Sequence, residues 1–97
     1  MFEIEFTESA LEDLEHLRRA DQNVILDAIA EQLTLEPLAP TRNRKPLRPN
    51  DLAEWELRAG KLRAFYDIDF NSSIVSIKAV GWKEHNKLFI RGREFTL

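Results

Sequence analysis

The chain has 97 residues, 43 % of them hydrophobic, and no cysteine, so the expectation is one domain over residues 1–97 with neither a disulfide framework nor a thiolate metal site. No stretch of ~18 consecutive apolar residues occurs, and the opening Met1-Phe2-Glu3-Ile4-Glu5 has no basic flank before an apolar run, which predicts a protein of the reducing cytoplasm rather than an exported or membrane-spanning one. The formal net charge of −3 hides a dipole: residues 1–41 carry two Lys/Arg against ten Asp/Glu, net −8, while residues 42–97 carry twelve against seven, net +5.

Phe2, Ile4 and Phe6 alternate with Glu3 and Glu5, the period of a strand with one buried face. Thr7 then suits the N-cap of a helix whose apolar stripe is Ala10, Leu11, Leu14 and Leu17, with Glu8, Glu12, Asp13 and Glu15 outside and Arg18 and Arg19 at its C-terminal end. Asp21 offers a second N-cap, and Val24, Ile25, Ala28, Ile29 and Leu33 repeat at helical spacing until Pro37 stops the run. Two adjacent amphipathic helices make a helical hairpin.

From Leu38 to Asp51 the prolines alternate with Arg42, Arg44, Lys45 and Arg48, which reads as a basic loop. Because screening confines each charge to about 10 Å, local basicity decides where a polyanion binds. Beyond the loop, Trp55 and Leu57 alternate with charged residues, Ala59-Gly60 offers a turn, and Leu62, Ala64, Tyr66 and Ile68 alternate again, the pattern of a β-hairpin. Asn71-Ser72 marks a further turn and Ile74 to Trp82 a further strand. The tail from Lys83 to Leu97 suggests a helical turn, Gly92, then a short strand from Glu94.

These elements predict an α+β fold, β-α-α-β-β-β with a fourth C-terminal strand possible, in which a two-helix hairpin packs on one face of a mainly antiparallel sheet. A two-residue turn at Ala59-Gly60 pairs Arg58 with Lys61, Leu57 with Leu62 and Glu56 with Arg63. Trp55, Leu57, Leu62, Ala64 and Tyr66 then face the helices. Glu54, Glu56, Arg58, Lys61, Arg63 and Phe65 share an open face, where the bland reading is a solvated surface with a weak Glu56–Arg63 ion pair. Gly60, Gly81 and Gly92 form no phosphate-binding loop, and no histidine cluster supports a metal, so neither a cofactor nor a metal-dependent nuclease is expected.

The run Arg44-Lys45-Pro46-Leu47, then Trp55-Glu56-Leu57-Arg58, Gly60, Arg63, Phe65-Tyr66 and Val80-Gly81-Trp82-Lys83-Glu84-His85 resembles the RelE/ParE toxin superfamily, over nearly the whole chain. The resemblance implies the toxin of a type II toxin-antitoxin system, partnered by a cognate antitoxin. Its activity would be metal-independent cleavage of ribosome-bound mRNA; the alternative is a non-catalytic gyrase inhibitor of the ParE branch or an inactive toxin-like binding module. RNA cleavage by the 2′-hydroxyl needs a base, a cation for the phosphorane and a proton donor.

Carried over by resemblance, Arg63 matches the family's phosphate-binding arginine, Lys83 lies where RelE proper carries a second arginine, and His85 lies close to a catalytic histidine of other branches. Glu54 and Glu56 stand where RelE proper has two lysines, and Phe89 where it has a tyrosine. The candidate catalytic set is therefore Arg63, Lys83, His85, Glu56 and Glu54. Arg42, Arg44, Lys45, Arg48, Arg58 and Lys61 are the candidate RNA contacts. Trp55 and Tyr66 are expected in the core, and His16 exposed.

Overall fold

The computed structural model describes residues 1–97. In chain order it contains β1 (Glu3–Phe6), α1 (Glu8–Glu15), α2 (Arg19–Leu33), β2 (Arg44–Pro46), β3 (Trp55–Ala59), β4 (Leu62–Asp69), β5 (Ile74–Glu84), β6 (Lys87–Ile90) and β7 (Arg93–Phe95). The strands lie in the order β2-β3-β4-β5-β6-β7, all antiparallel neighbours, and β1 joins β5 in parallel. No helix is long and apolar enough to cross a membrane.

The helices keep most of the apolar stripes, but Leu11 and Val24 are half exposed, and the helix boundaries shift. Thr7 caps α1 as its side-chain oxygen accepts the Ala10 N–H at 3.1 Å. α1 stops at Glu15, and Arg19 opens α2 instead of closing α1, so Asp21 lies in the first turn of α2 rather than at its cap. There its carboxylate faces Arg18 at 3.5 Å and Lys61 at 3.7 Å, an anion where the helix dipole favours one. α2 ends at Leu33, four residues before the buried Pro37, and the Arg44 guanidinium donates to the Gln32 carbonyl (2.6 Å), one of those the helix end leaves without a partner, and to the Glu36 carbonyl (2.8 Å) in the turn beyond. The Tyr66 hydroxyl ties the same turn by donating to the Pro37 carbonyl at 2.8 Å.

Leu14, Ile25, Ile29 and Leu33 of the helices and Leu17 of their connection meet Leu57, Leu62, Ala64, Tyr66, Val75, Ile77 and Val80 of the sheet in the main core, with Trp55 packed alongside and stacked on Tyr66. The opposite sheet face is not open, as alternation alone suggested. Ala53, Phe65, Ala79 and Leu88 form a second, smaller cluster there, covered by Leu47, Leu52 and Ile90. The proline-rich segment and the C-terminal strands fold back over this face, and Phe65 is fully buried in it.

The C-terminal tail holds two strands and no helical turn. His85 and Asn86 (φ +52 and +65) and then Arg91 and Gly92 (φ +54 and +77) each make the left-handed pair of a two-residue hairpin turn, so β5, β6 and β7 run on as a meander. Gly81 lets β6 approach: a Cβ on it would lie 2.2 Å from the Phe89 carbonyl oxygen.

One bulge organises β5. Phe65 pairs with Ala79 but Tyr66 pairs with Ile77, leaving Lys78 unopposed. This extra residue keeps Val75, Ile77 and Val80 on the helix face and turns Ala79 to the other. The pairing of β1 stops at Ile77 and that of β6 starts at Trp82, so the outer edge of β5 lacks a strand between them. Asp13 of α1, expected outside its helix, fills the gap. It is 2 % exposed, one carboxylate oxygen accepting the Val80 N–H at 3.0 Å and the other the Arg91 Nε at 2.5 Å. Arg91 also meets Glu12 at 2.9 Å and donates to the Ser9 carbonyl at 3.0 Å, pinning the β6–β7 turn on α1.

Asp13→Ala strands a buried N–H and should lower the unfolding free energy by about 2–3 kcal/mol. Glu12→Ala, at the exposed branch of the same cluster, should cost less than ~1 kcal/mol. Urea denaturation of both variants measures the difference.

Candidate nucleic-acid interface

The hairpin turn is Gly60-Lys61, one residue later than Ala59-Gly60. Gly60 takes φ +60 at the first central position, as a type II′ turn requires. The pairing slips by two residues: Arg58 faces Arg63, Leu57 faces Ala64 and Glu56 faces Phe65. A slip of two preserves which strand residues share a face, so the partition between helix side and far side survives except at Lys61, which the later turn moves to the helix side, while every neighbour changes.

On the far side the register builds two rows. Lys45, Glu56, Phe65 and Ala79 lie across β2 to β5 in one; Arg58, Arg63 and Gly81 lie in the next, with Lys83 two residues beyond Gly81 on the same face and opposite Leu88. Glu56 is 2 % exposed. Its two carboxylate oxygens lie 3.6 Å from Lys45 Nζ and 3.6 Å from Arg63 Nε, so one buried anion serves cations from two other strands.

Arg63, expected on an open surface, is 6 % exposed. Its Nη1 donates to the carbonyls of Gly60 (2.7 Å) and Leu62 (2.9 Å), while its buried Nε makes no hydrogen bond. Burial pulls the guanidinium pKa below its ordinary value, Glu56 opposes that and Arg58, directly opposite, adds to it. It remains a cation at any working pH.

The other candidates scatter. Lys61 turns to the helix side and pairs with Asp21, and Arg44 caps α2, so neither belongs to the far face. Arg42, Arg48 and Arg58 are exposed, and Lys83 is half-buried. Glu54 lies exposed one residue before β3, and His85 sits at the tip of the β5–β6 turn. Counting rows through Trp55, Tyr66 and Ile77, they are about eight residue steps apart, roughly 26 Å of strand. From Gly81, which pairs with Arg63, His85 is a further four residues, roughly 13 Å. Glu56, Arg63, Arg58 and Lys45 are brought together, with Glu54 two residues before Glu56 and Lys83 two residues beyond Gly81; His85 lies outside this group. Trp82 stacks on Phe89 and packs against the main core, and His16 is exposed.

Residues 4–86 match the family model of the ParE toxin of the type II toxin-antitoxin system, parDE. The chain belongs to the RelE/ParE toxin superfamily. It is the toxin of a type II toxin-antitoxin system. Among solved structures, the RelBE2 toxin-antitoxin complex from Mycobacterium tuberculosis contains a chain 30 % identical to this toxin, with a TM-score of 0.71 over 84 % of this chain and 98 % of that one. The archaeal RelE-RelB complex from Pyrococcus horikoshii shares the fold at 19 % identity and a TM-score of 0.64, covering 95 % of this chain and 97 % of that one. The intact RelBE complex of Escherichia coli does so at 17 % identity and 0.55, covering 88 % and 100 %. No curated protein sequence matches the toxin significantly.

Two features of the toxin escaped the sequence reading. Lys45 belongs to an edge strand, not a loop, and its place opposite Glu56 is a matter of register. Asp13 carried no local signal, since its partner Val80 is 67 residues away.

Glu56→Ala leaves Arg63 buried without its counter-ion and should destabilise the toxin by about 2–3 kcal/mol, less than a fully buried pair because Lys45 is half in water. Arg58→Ala removes a like charge from the opposite position and should leave stability unchanged or raise it by about 0.5 kcal/mol. Equal losses in urea unfolding of the two variants would contradict this arrangement.

Proposed function

We propose that this toxin acts on RNA, cleaving ribosome-bound mRNA in the cytoplasm without a metal. The observation that carries the reading is that Lys45, Arg58, Arg63 and Lys83, from four successive strands, share one sheet face, with Lys45 and Arg63 paired to the same buried carboxylate. Such a face has a net positive charge where the chain as a whole is negative, and a phosphodiester is its natural ligand. Exposed Arg42 and Arg48 extend it along the β2 edge.

Chemically, the face supplies charge more than acid–base power. Attack of a ribose 2′-hydroxyl on the neighbouring phosphate concentrates negative charge on the phosphorane, and Arg58, Arg63 and Lys83 offset that charge. Lys83, an ammonium, offers a proton to the departing 5′ oxygen. Glu56 orients Lys45 and Arg63 and, in this reading, is the carboxylate that receives the 2′-hydroxyl proton. Glu54 and His85 stand outside this scheme.

A second reading, inhibition of gyrase without catalysis, is favoured by one feature: the acid–base candidates Glu54 and His85 lie at opposite ends of the face. Induction of the toxin followed by mapping of transcript 5′ ends and of chromosomal breaks separates the two. Cuts within codons with intact DNA are expected; double-strand breaks with intact message would establish the gyrase reading instead.

The antitoxin partner should meet the same charge. An acidic segment that folds on the far face complements Arg58 and Lys83, while the helix hairpin, rich in carboxylates, repels it. Calorimetric titration should show affinity falling with salt, and Arg58→Glu and Lys83→Glu should weaken binding by about tenfold or more, against little change for Glu12→Lys. Salt-independent affinity would overturn this docking mode.

A further inference from the structure

The cationic face carries a cover supplied by the toxin itself. Leu97 lines a cavity of about 410 Å³ together with Lys45, Arg48 and Pro49. A second cavity of about 260 Å³ is lined by Lys83 and Leu88 together with Glu94, Phe95, Thr96 and Leu97. β2 and β7 are the two ends of the strand order, so the meeting of Leu97 with Lys45 requires the sheet to curl until its ends approach. Arg93 to Phe95 continue the sheet beside β6, and the chain tip at Leu97 therefore stands between the Lys83 side and the Lys45 side of the face.

We propose that residues 93–97 form a strap over the phosphate-binding face, and that RNA gains access to Lys45, Arg63 and Lys83 by displacing it. The proposal rests on the RNA reading above.

The strap is built to move. None of its five residues is buried; Phe95 is 37 % and Leu97 50 % exposed. β7 is a three-residue edge strand that pairs with β6 alone. Its one ion pair, Glu94 with Lys87 at 4.0 Å, joins two side chains that are more than half in water, a type of contact that holds little. The turn before it is anchored, because Arg91 grips Asp13, Glu12 and Ser9 of α1. A fixed pivot at Arg91-Gly92 followed by a weakly held strand lets the strap open without loosening β6, whose Leu88 remains in the second cluster.

The chain contains no cysteine, which makes a tether clean. Pro49→Cys with Leu97→Cys puts one thiol on each wall of the larger cavity, at two positions outside the binding machinery. A short bis-maleimide then closes the strap, and N-ethylmaleimide caps the same thiols without joining them. Two quantities are read from each form: the affinity for a fluorescein-labelled oligouridylate, and the acetylation rate of Lys83 relative to Lys61, which lies on the helix side.

The tethered toxin should bind the oligouridylate about tenfold or more weakly than the capped one, and its Lys83 should be acetylated several-fold more slowly. Equal Lys83 rates in the two forms would overturn the strap. Slowed Lys83 acetylation with no oligouridylate binding by either form would uphold the strap and overturn the RNA reading. Slowed acetylation with equal binding in both forms would overturn the gating of RNA by the strap.

Discussion

The sheet is organised about β5, which is paired with β1, β4 and β6 and packed by α1, and the constraint on that strand is an incomplete edge. β5 receives β4 along one side over its whole length, but on the other side β1 covers only its start and β6 only its end. The stretch between would present backbone polar groups to the interior without partners, which a core does not tolerate. Asp13 resolves this. By accepting the Val80 N–H it ties α1 to the gap, and by accepting from Arg91 it draws the β6–β7 turn to the same helix. The bulge at Lys78 sits in the gap because only there can β5 carry an extra residue without spoiling a ladder on its outer side.

That bulge is also what makes a face out of the cationic residues. Were β5 regular from Ile74 to Glu84, Ala79 would share the side of Val75 and Ile77, and Val80 and Trp82 would point away from the helices. The extra residue restores Val80 to the main core and turns Ala79, Gly81 and Lys83 to the side of Glu56 and Arg63. Packing on one face and charge on the other are thus consequences of a single irregularity.

Much of this was legible in the sequence, for reasons that can be named. Period-two alternation in Trp55–Ile68 assigned the faces of the strand residues correctly even though the turn lay one residue further on, because the error displaced the pairing by an even number; Lys61, which the shift makes a turn residue, was the exception. Stripes at helical spacing found both helices, and the RelE/ParE resemblance carried the topology. What was illegible is whatever depends on distant partners. No pattern near Asp13 announces Val80, and nothing in the proline-rich segment announces that Arg44 reaches back to the end of α2 or that Lys45 will stand opposite Glu56. The C-terminal strands were missed for a different reason. His85-Asn86 and Arg91-Gly92, six residues apart, are each a residue pair able to enter the left-handed region, and reading them as turns would have yielded two hairpins.

The burial of Arg63 changes how this face has to be understood. An arginine free in water is a good phosphate ligand but a poorly aimed one, because its long side chain loses conformational freedom on binding. Arg63 has already lost it: the carbonyls of Gly60 and Leu62 hold one nitrogen, and Glu56 lies against another. Part of its charge is thereby committed, which weakens attraction at long range, and its direction is fixed, which strengthens discrimination at contact. Arg58 supplies the opposite mixture, exposed and unpaired, opposing Arg63 across the ladder. On the proposed RNA reading, attraction from the exposed cations and aim from the fixed one would be a division of labour that a uniformly exposed face would lack, with the buried Glu56 the residue on which it turns.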